Sequence, residues 1–273
     1  IARSSESKSS RLSKIRTQPK EMNMSKKIAV INLSGNVGKT TLATNWLKAS
    51  RPDAKFVSVE LHNASVANEI ESTKAEEFSA SEFRDIFRTI MLNDDVIVDV
   101  GASNVVQFMG ELTRYKSAIG ELDLIVVPTV PADKQQKDTI ATIEWLSKLG
   151  FPSSKIRLVF NMYDGGEANL PVEHVYAQIA GYAATEGKNK ATYEPHIVIK
   201  QSEVFDLVRR KNIRELAEDQ TDWRAKRAEA KAAGDLDAEL AAIEAQADHD
   251  LAVDAQANLA RSTDLLFGKA KGK

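Results

Sequence analysis

Ser34-Gly35-Asn36-Val37-Gly38-Lys39-Thr40-Thr41 links the apolar run Ile28-Ala29-Val30-Ile31 to a helical pattern that begins at Leu42. A glycine-rich turn between a buried strand and a helix is a phosphate cradle. Gly35 and Gly38 let successive backbone N–H groups turn toward an anion, and the helix behind them adds the positive end of its dipole. Lys39 is then placed to neutralise the β- and γ-phosphates, and the Thr40 hydroxyl to sit on Mg²⁺. The strict pattern G-x-x-x-x-G-K-[ST] asks for glycine five residues before Gly38, where this chain has Leu33.

Such a loop works only if strands and helices hold it. Five short runs, Ile28 to Leu33, Lys55 to Val59, Val96 to Val100, Leu124 to Val127 and Ile156 to Phe160, are nearly continuous in apolar residues, as strands buried on both faces are. Helical patterns lie between them over Thr41 to Ala49, Ser81 to Leu92, Val105 to Ile119 and Lys134 to Leu149. This alternation predicts a doubly wound, mostly parallel α/β sheet, to which Pro195 to Ile199 adds a further strand. Ligands of such sheets bind beyond the carboxyl ends of the strands. The residues there are Glu60, His62 and Asn63; Asp99 and Gly101; Pro128-Thr129-Val130-Pro131; and Asn161. Asp99, closing Val96-Ile97-Val98, has the position of a carboxylate that holds Mg²⁺ directly or through water. Glu60 either holds the attacking water or the metal, or caps the loop ahead of Ser65.

Composition removes several other chemistries. The 273 residues contain no cysteine, which excludes disulfides, thiolate catalysis and Cys-ligated zinc. His62, His174, His196 and His249 show no metal-ligand spacing, and no paired-carboxylate or Ser-His-Asp pattern is visible. Trp46, Trp145 and Trp223 fall in helical stretches and read as packing residues. The 37 Lys and Arg nearly balance 39 Asp and Glu, so any nucleic acid must be met by a local patch. No apolar run approaches the roughly 20 residues that span a bilayer, and integral membrane association is not expected.

Taken in order, these motifs resemble the ParA/MinD family of deviant-Walker P-loop ATPases, whose members position or segregate cellular cargo. The resemblance covers roughly residues 26 to 213. Gly35, Gly38, Lys39, Thr40 and Thr41 match the family loop K-G-G-x-G-K-[ST]-T, Val96-Ile97-Val98-Asp99 matches its Walker B region, and Leu124 to Pro131 looks like its I-V-P-x-x-P segment. Glu60 stands where the family usually has aspartate, and Asn161 resembles the asparagine that reads adenine. The loop, Val-Glu after the second strand and Asp-Val-Gly-Ala-Ser after the third look most like StbB-type plasmid stability proteins. The resemblance implies ATP and Mg²⁺ as ligands, with Gly35, Asn36, Val37, Gly38, Lys39, Thr40, Thr41 and Asn161 around the nucleotide and Thr40 and Asp99 at the metal. It also implies a nucleotide-dependent homodimer, a plasmid-encoded DNA-binding adaptor as partner, non-specific DNA binding, and a bacterial cytoplasmic, nucleoid- or plasmid-associated location. Ser34 replaces the family's signature lysine and Asn36 its second glycine. Losing a cation of that kind removes a transition-state stabiliser, so hydrolysis is expected to be slow or partner-stimulated.

The flanks read differently. Residues 1 to 23, rich in Ser, Lys and Arg, are expected to form a disordered basic arm, either a solvated tail or an aid to phosphate binding, and Met24 reads as a natural start. Residues 24 to 214 form the ATPase-like domain, and residues 162 to 194 look like an insertion beside its pocket. Arg209, Arg210, Lys211 and Arg214 make a basic cluster, either a DNA contact or a solvated helix face. Residues 215 to 273 turn to Ala, Glu and Asp and predict a helical extension broken at Gly234-Asp235. Its second half places Leu236, Leu240, Ile243, Ala247, Leu251 and Leu259 at helical spacing. Leu236 to Ala260 contains no Lys or Arg, which disfavours an anionic membrane as its target. Two functions compete: an ATP-dependent switch for plasmid partition, stability or positioning, and a non-hydrolysing nucleotide-binding scaffold acting through its C-terminal helices. A small-molecule kinase or synthetase is disfavoured because no lid or substrate cluster appears.

Overall fold

A computed structural model of the chain describes residues 26–60, 74–207 and 213–268. These residues build a seven-stranded sheet from β1 (Lys27–Val30), β2 (Lys55–Val59), β3 (Glu76–Phe78), β4 (Val96–Val100), β5 (Leu124–Thr129), β6 (Ile156–Tyr163) and β7 (Thr192–Lys200), in the order β3-β2-β4-β1-β5-β6-β7. Every pairing is parallel. The β-branched runs require this: a parallel strand has both faces covered, and β1, β2, β4 and β5 are buried almost throughout.

Helices cover the two faces. Ala29, Val57, Val59, Val98, Ile125 and Val127 meet α2 (Phe83–Leu92), α3 (Val105–Arg114), α5 (Asp133–Lys148) and α7 (Ala177–Ala184). Ile28, Val30, Phe56, Ile97, Val126, Ile197 and Ile199 point to the opposite face, against α1 (Lys39–Leu42), its π-helical continuation Ala43–Lys48, and α11 (Leu236–Phe267). In the continuation the Ala49 N–H reaches back five residues to the Thr44 carbonyl, the wider turn of a π-helix.

Two expectations need correction, and one element was not foreseen. The predicted helix Val105 to Ile119 breaks at Tyr115, with α4 (Lys116–Glu121) following. Residues 162 to 194 are not an insertion: they carry α6 (Val172–Val175) and α7, the crossover from β6 to β7 that parallel pairing demands. The polar edge strand Glu76–Phe78 has no alternating or apolar signature and was not expected.

The C-terminal region is mostly helical in its described part. Beyond α8 (Val204–Leu207) and α9 (Ile213–Ala217), α10 (Trp223–Ala233) ends on Gly234, whose φ of 72° is left-handed, and Asp235 caps α11 through the Ala238 N–H at 3.0 Å. A helix of 32 residues extends about 48 Å. Its second half buries Ala252, Ala255, Leu259 and Ser262 on the body, and Thr263 accepts a 2.9 Å hydrogen bond from the Trp46 indole. Trp46 is thus a packing residue, as its helical position suggested.

Candidate nucleotide-binding site

Strand register brings the candidate residues together. Val30, the last residue of β1, lies opposite Asp99 on one side and Val126 on the other, so the glycine-containing loop leaves the sheet directly beside Asp99. Ser58 also pairs with Asp99 and Val59 with Val100, which brings Glu60 to the same edge. The resulting cleft, about 490 Å³, is lined by Gly35, Asn36, Gly38, Lys39, Thr40, Thr41, Glu60, Gly101, Ala102, Ser103 and Met162. That volume suits a small-molecule ligand.

The loop turns through left-handed backbone at two residues suited to it. Gly38 has φ 80° and Asn36 φ 56°, both left-handed, and asparagine is among the few side chains that adopt this conformation readily. A Cβ at Gly38 would overlap the Asn161 side-chain nitrogen, so glycine is needed twice over. The Asn161 side-chain amide donates to the Val37 carbonyl at 3.0 Å, and the main-chain carbonyl of Asn161 accepts from the Tyr176 hydroxyl at 2.7 Å. The residue expected to read adenine therefore also ties β6 to the loop. Lys39 is buried, and its ammonium donates to the Ser34 carbonyl at 2.6 Å, bracing the loop across its own turn.

A polar network missed in the sequence reading anchors the start of the loop. The Asn32 amide donates to the Pro128 carbonyl and to the Thr139 hydroxyl, both at 2.7 Å, while its carbonyl accepts from the Ser34 N–H at 2.7 Å. The Leu33 N–H donates to the Thr142 hydroxyl at 3.0 Å. The one available signal was Asn32 itself, a lone amide in an apolar run, since a buried amide must find partners. Ser34 is buried too, and its hydroxyl helps hold the Asp138 carboxyl below its usual range, behind the stronger effect of Lys134.

Electrostatics set Asp99 apart. Its carboxylate is fully buried, and neither oxygen has a hydrogen-bond partner. Burial pushes its pKa up to about 6, opposed by the nearby Thr40 hydroxyl and Lys39 ammonium and reinforced by Glu60. Burial also lowers the Lys39 pKa against the pull of Asp99 and Glu60, and raises that of Glu60 against the pull of Lys39. The Glu60 carboxylate lies over Gly101, where a Cβ would overlap it. An unpartnered buried carboxylate beside a hydroxyl and a lysine, next to a glycine-containing loop at a helix start, fits a divalent cation with a phosphate chain. Those residues supply oxygen donors for the metal and cationic and N–H donors for the anion.

Thr41 lines the cleft with Thr40, whereas Val37 is buried and contributes its backbone. Of the basic cluster, Arg209, Arg210 and Lys211 lie outside the described residues. Arg214 pairs with Glu218 at 2.8 Å and donates to the Ala49 carbonyl at 3.3 Å. His62, Asn63 and Ser65 also lie outside. Away from the cleft, tertiary folding gathers Glu173, Glu194 and His196, with the His196 Nε2 2.7 Å from Glu194, at an apolar pocket floored by Phe160 and Tyr176. No described helix is long and apolar enough to cross a membrane.

No family model and no curated protein matches the sequence. Solved structures do match the fold. The MinD cell division protein of Aquifex aeolicus aligns over 88% of this chain and 96% of its own, at 13% identity and a TM-score of 0.50. Septum site-determining protein MinD from Pyrococcus horikoshii OT3, solved with Mg-ADP, aligns over 92% and 100% at 18% identity and 0.46. McdA from Cyanothece, solved with ATP, aligns over 71% and 90% at 16% identity and 0.44. The all-parallel sheet, the flanking helices and the loop at the carboxyl end of β1 give this chain the P-loop NTPase fold of the Aquifex MinD cell division protein.

Proposed function

We propose that the protein binds ATP with Mg²⁺ in this cleft and acts as a nucleotide-controlled switch of the ParA/MinD kind, akin to StbB-type plasmid stability proteins, in the partition, stability or positioning of a plasmid. The observation that carries this reading is the Asp99 carboxylate, buried, unpartnered and beside Thr40 and Lys39. Burying it without a cation would be costly, and Asp99, though itself fully buried, adjoins Thr40, Lys39 and Glu60, which line the cleft.

In this reading the N–H groups from Gly35 to Thr41 hold the phosphates, and Lys39 exchanges its bond to the Ser34 carbonyl for phosphate oxygens. Thr40 and Asp99 hold Mg²⁺, which when bound offsets negative charge on the phosphate oxygens. Glu60 orients the attacking water, and Asn161 faces the base while keeping Val37 in place. Turnover is slow or partner-stimulated, because Ser34 supplies no cation. Nucleotide state controls a homodimer and its contacts with a DNA-binding adaptor or with DNA, through Arg209, Arg210, Lys211 and Arg214, in the bacterial cytoplasm.

Calorimetric titration of ATP-Mg²⁺ into the wild type and Lys39→Ala tests the binding reading. A loss of about tenfold or more in affinity is expected, the scale of one lost charge-assisted contact; equal affinities would refute it. Phosphate release with and without DNA, beside nucleotide-dependent sedimentation, tests the switch. Ser34 favours a second reading, a nucleotide-binding scaffold that does not hydrolyse, and binding without phosphate release under either condition would establish that one instead.

A further inference from the structure

We infer that the outer face of the first half of α11 is a docking surface for a cationic amphipathic helix on a partner protein. This half leaves the sheet, and its described helical neighbour is α10, the other arm of the hairpin closed by Gly234 and Asp235. Leu236, Leu240 and Ile243 are 66%, 50% and 43% exposed. With the exposed Ala247 they fall at i, i+4, i+7 and i+11, one stripe along the helix. At 100° per residue this stripe lies away from Ala242, which is buried. Several large side chains left in water in one row are unusual for a helix with no further partner.

Charge identifies the occupant. Asp237, Glu244 and Asp248 run along one side of the stripe, and Glu239 and Asp250 along the other, with no Lys or Arg between Leu236 and Ala260. None of these five carboxylates pairs with a Lys or Arg among the described residues; Asp250 meets only the neighbouring His249, at 3.6 Å. An apolar row between two acidic rails matches a helix with apolar residues at the same spacing and Lys or Arg beside them. A second copy laid α11 on α11 would set carboxylates against carboxylates, and an anionic membrane would be repelled. The same helix continues to the Trp46–Thr263 bond behind the phosphate loop, so an occupied stripe sits on an element anchored to the candidate site.

The test uses the full chain without nucleotide, so its outcome is separate from that of the ATP reading. The probe is a labelled leucine-lysine peptide with leucines at i, i+3, i+4 and i+7, beside a scrambled peptide and a leucine-glutamate peptide of the same pattern. Fluorescence anisotropy is expected to show binding of the patterned lysine peptide alone, weakened by salt. Binding should fall about tenfold or more in Leu240→Ser/Ile243→Ser and again in Asp237→Asn/Glu244→Gln. These side chains are exposed, and unchanged melting curves check that the variants fold. Equal binding to wild type and Leu240→Ser/Ile243→Ser would overturn the inference. So would self-association in sedimentation that the same substitutions abolish, which would assign the stripe to a second copy.

Discussion

The Asn161 side-chain amide donates to the Val37 carbonyl at 3.0 Å, joining β6 to the middle of the glycine-containing loop across 124 residues of sequence. The same amide occupies the space that a side chain at residue 38 would need. Loop conformation and the edge of the sheet are therefore set together. Removing the bond by Asn161→Ala should cost about 1 kcal/mol of stability and weaken nucleotide binding. Gly38→Ala should cost more, through both the left-handed φ of 80° and the overlap. In the double variant the overlap is relieved and only the backbone strain remains. Its loss, measured by denaturant unfolding, should be smaller than the sum of the single losses.

Asp99 makes the cleft sensitive to pH. Its folded pKa of about 6 stands above the ordinary 3.8, so between those values the folded protein holds a proton that the unfolded chain has released. Stability contributed by this group therefore falls as pH rises through that window, by up to about 3 kcal/mol, and stays lower above it. In Asp99→Asn that part of the pH dependence should vanish from urea unfolding series. In the wild type, Mg²⁺-dependent nucleotide affinity should weaken as pH falls below about 6, because the protonated carboxyl no longer holds a cation. Calorimetry in matched buffers measures it.

Glu60 and Gly101 form a pair in which one residue makes room for the other. Gly101 donates its N–H to the Val59 carbonyl at 3.0 Å, and the Glu60 carboxylate lies where a Cβ at residue 101 would be. The overlapping atoms are the far end of a flexible side chain, so Gly101→Ala should displace Glu60 while changing stability by less than about 1 kcal/mol. If Glu60 orients water, Gly101→Ala should slow phosphate release about as much as Glu60→Gln and leave ATP affinity near the wild-type value. Single-turnover and binding measurements separate the two effects.

The bond between the Trp46 indole and Thr263 tests the coupling of α11 to the body. Thr263→Ala leaves a buried indole N–H unpaired and should cost about 1–3 kcal/mol. Intrinsic fluorescence should follow the loss at Trp46, and exchange protection should drop in the second half of α11 before it drops in the sheet.

Much of the sheet was legible because burial on both faces forces near-continuous β-branched runs, and each of the five runs became a strand. Glu76–Phe78 escaped because an edge strand is held by main-chain bonds to Val57, Ser58 and Val59, which no side-chain pattern records. The crossover over residues 162 to 194 was misread because α6 and α7 are short and flanked by polar turns. Gly35, Gly38, Lys39 and Thr40 could be expected together from their spacing in one short turn, and the structure sets them along one cleft.

Position along the chain could place Glu60 and Asp99 at strand ends. Only parallel register could set Val30, Ser58 and Asp99 side by side, and only packing could strip Asp99 of partners and raise its pKa. The long helix shows the same division. Leu236, Leu240, Ile243, Ala247, Leu251 and Leu259 read in the sequence as one helical face that packs on the body or on a partner, yet the structure buries Leu259 with Ala252 and Ala255 and leaves Leu236, Leu240 and Ile243 in water. Helical period fixes which residues share a face; where the helix meets the sheet decides which face is covered. By itself the sequence determined six of the seven strands, the glycine-rich turn after β1 and the helical tail, because local spacing encodes them. The tertiary structure decided the state of Asp99 and the exposure of the α11 stripe, because burial depends on what packs from elsewhere in the chain.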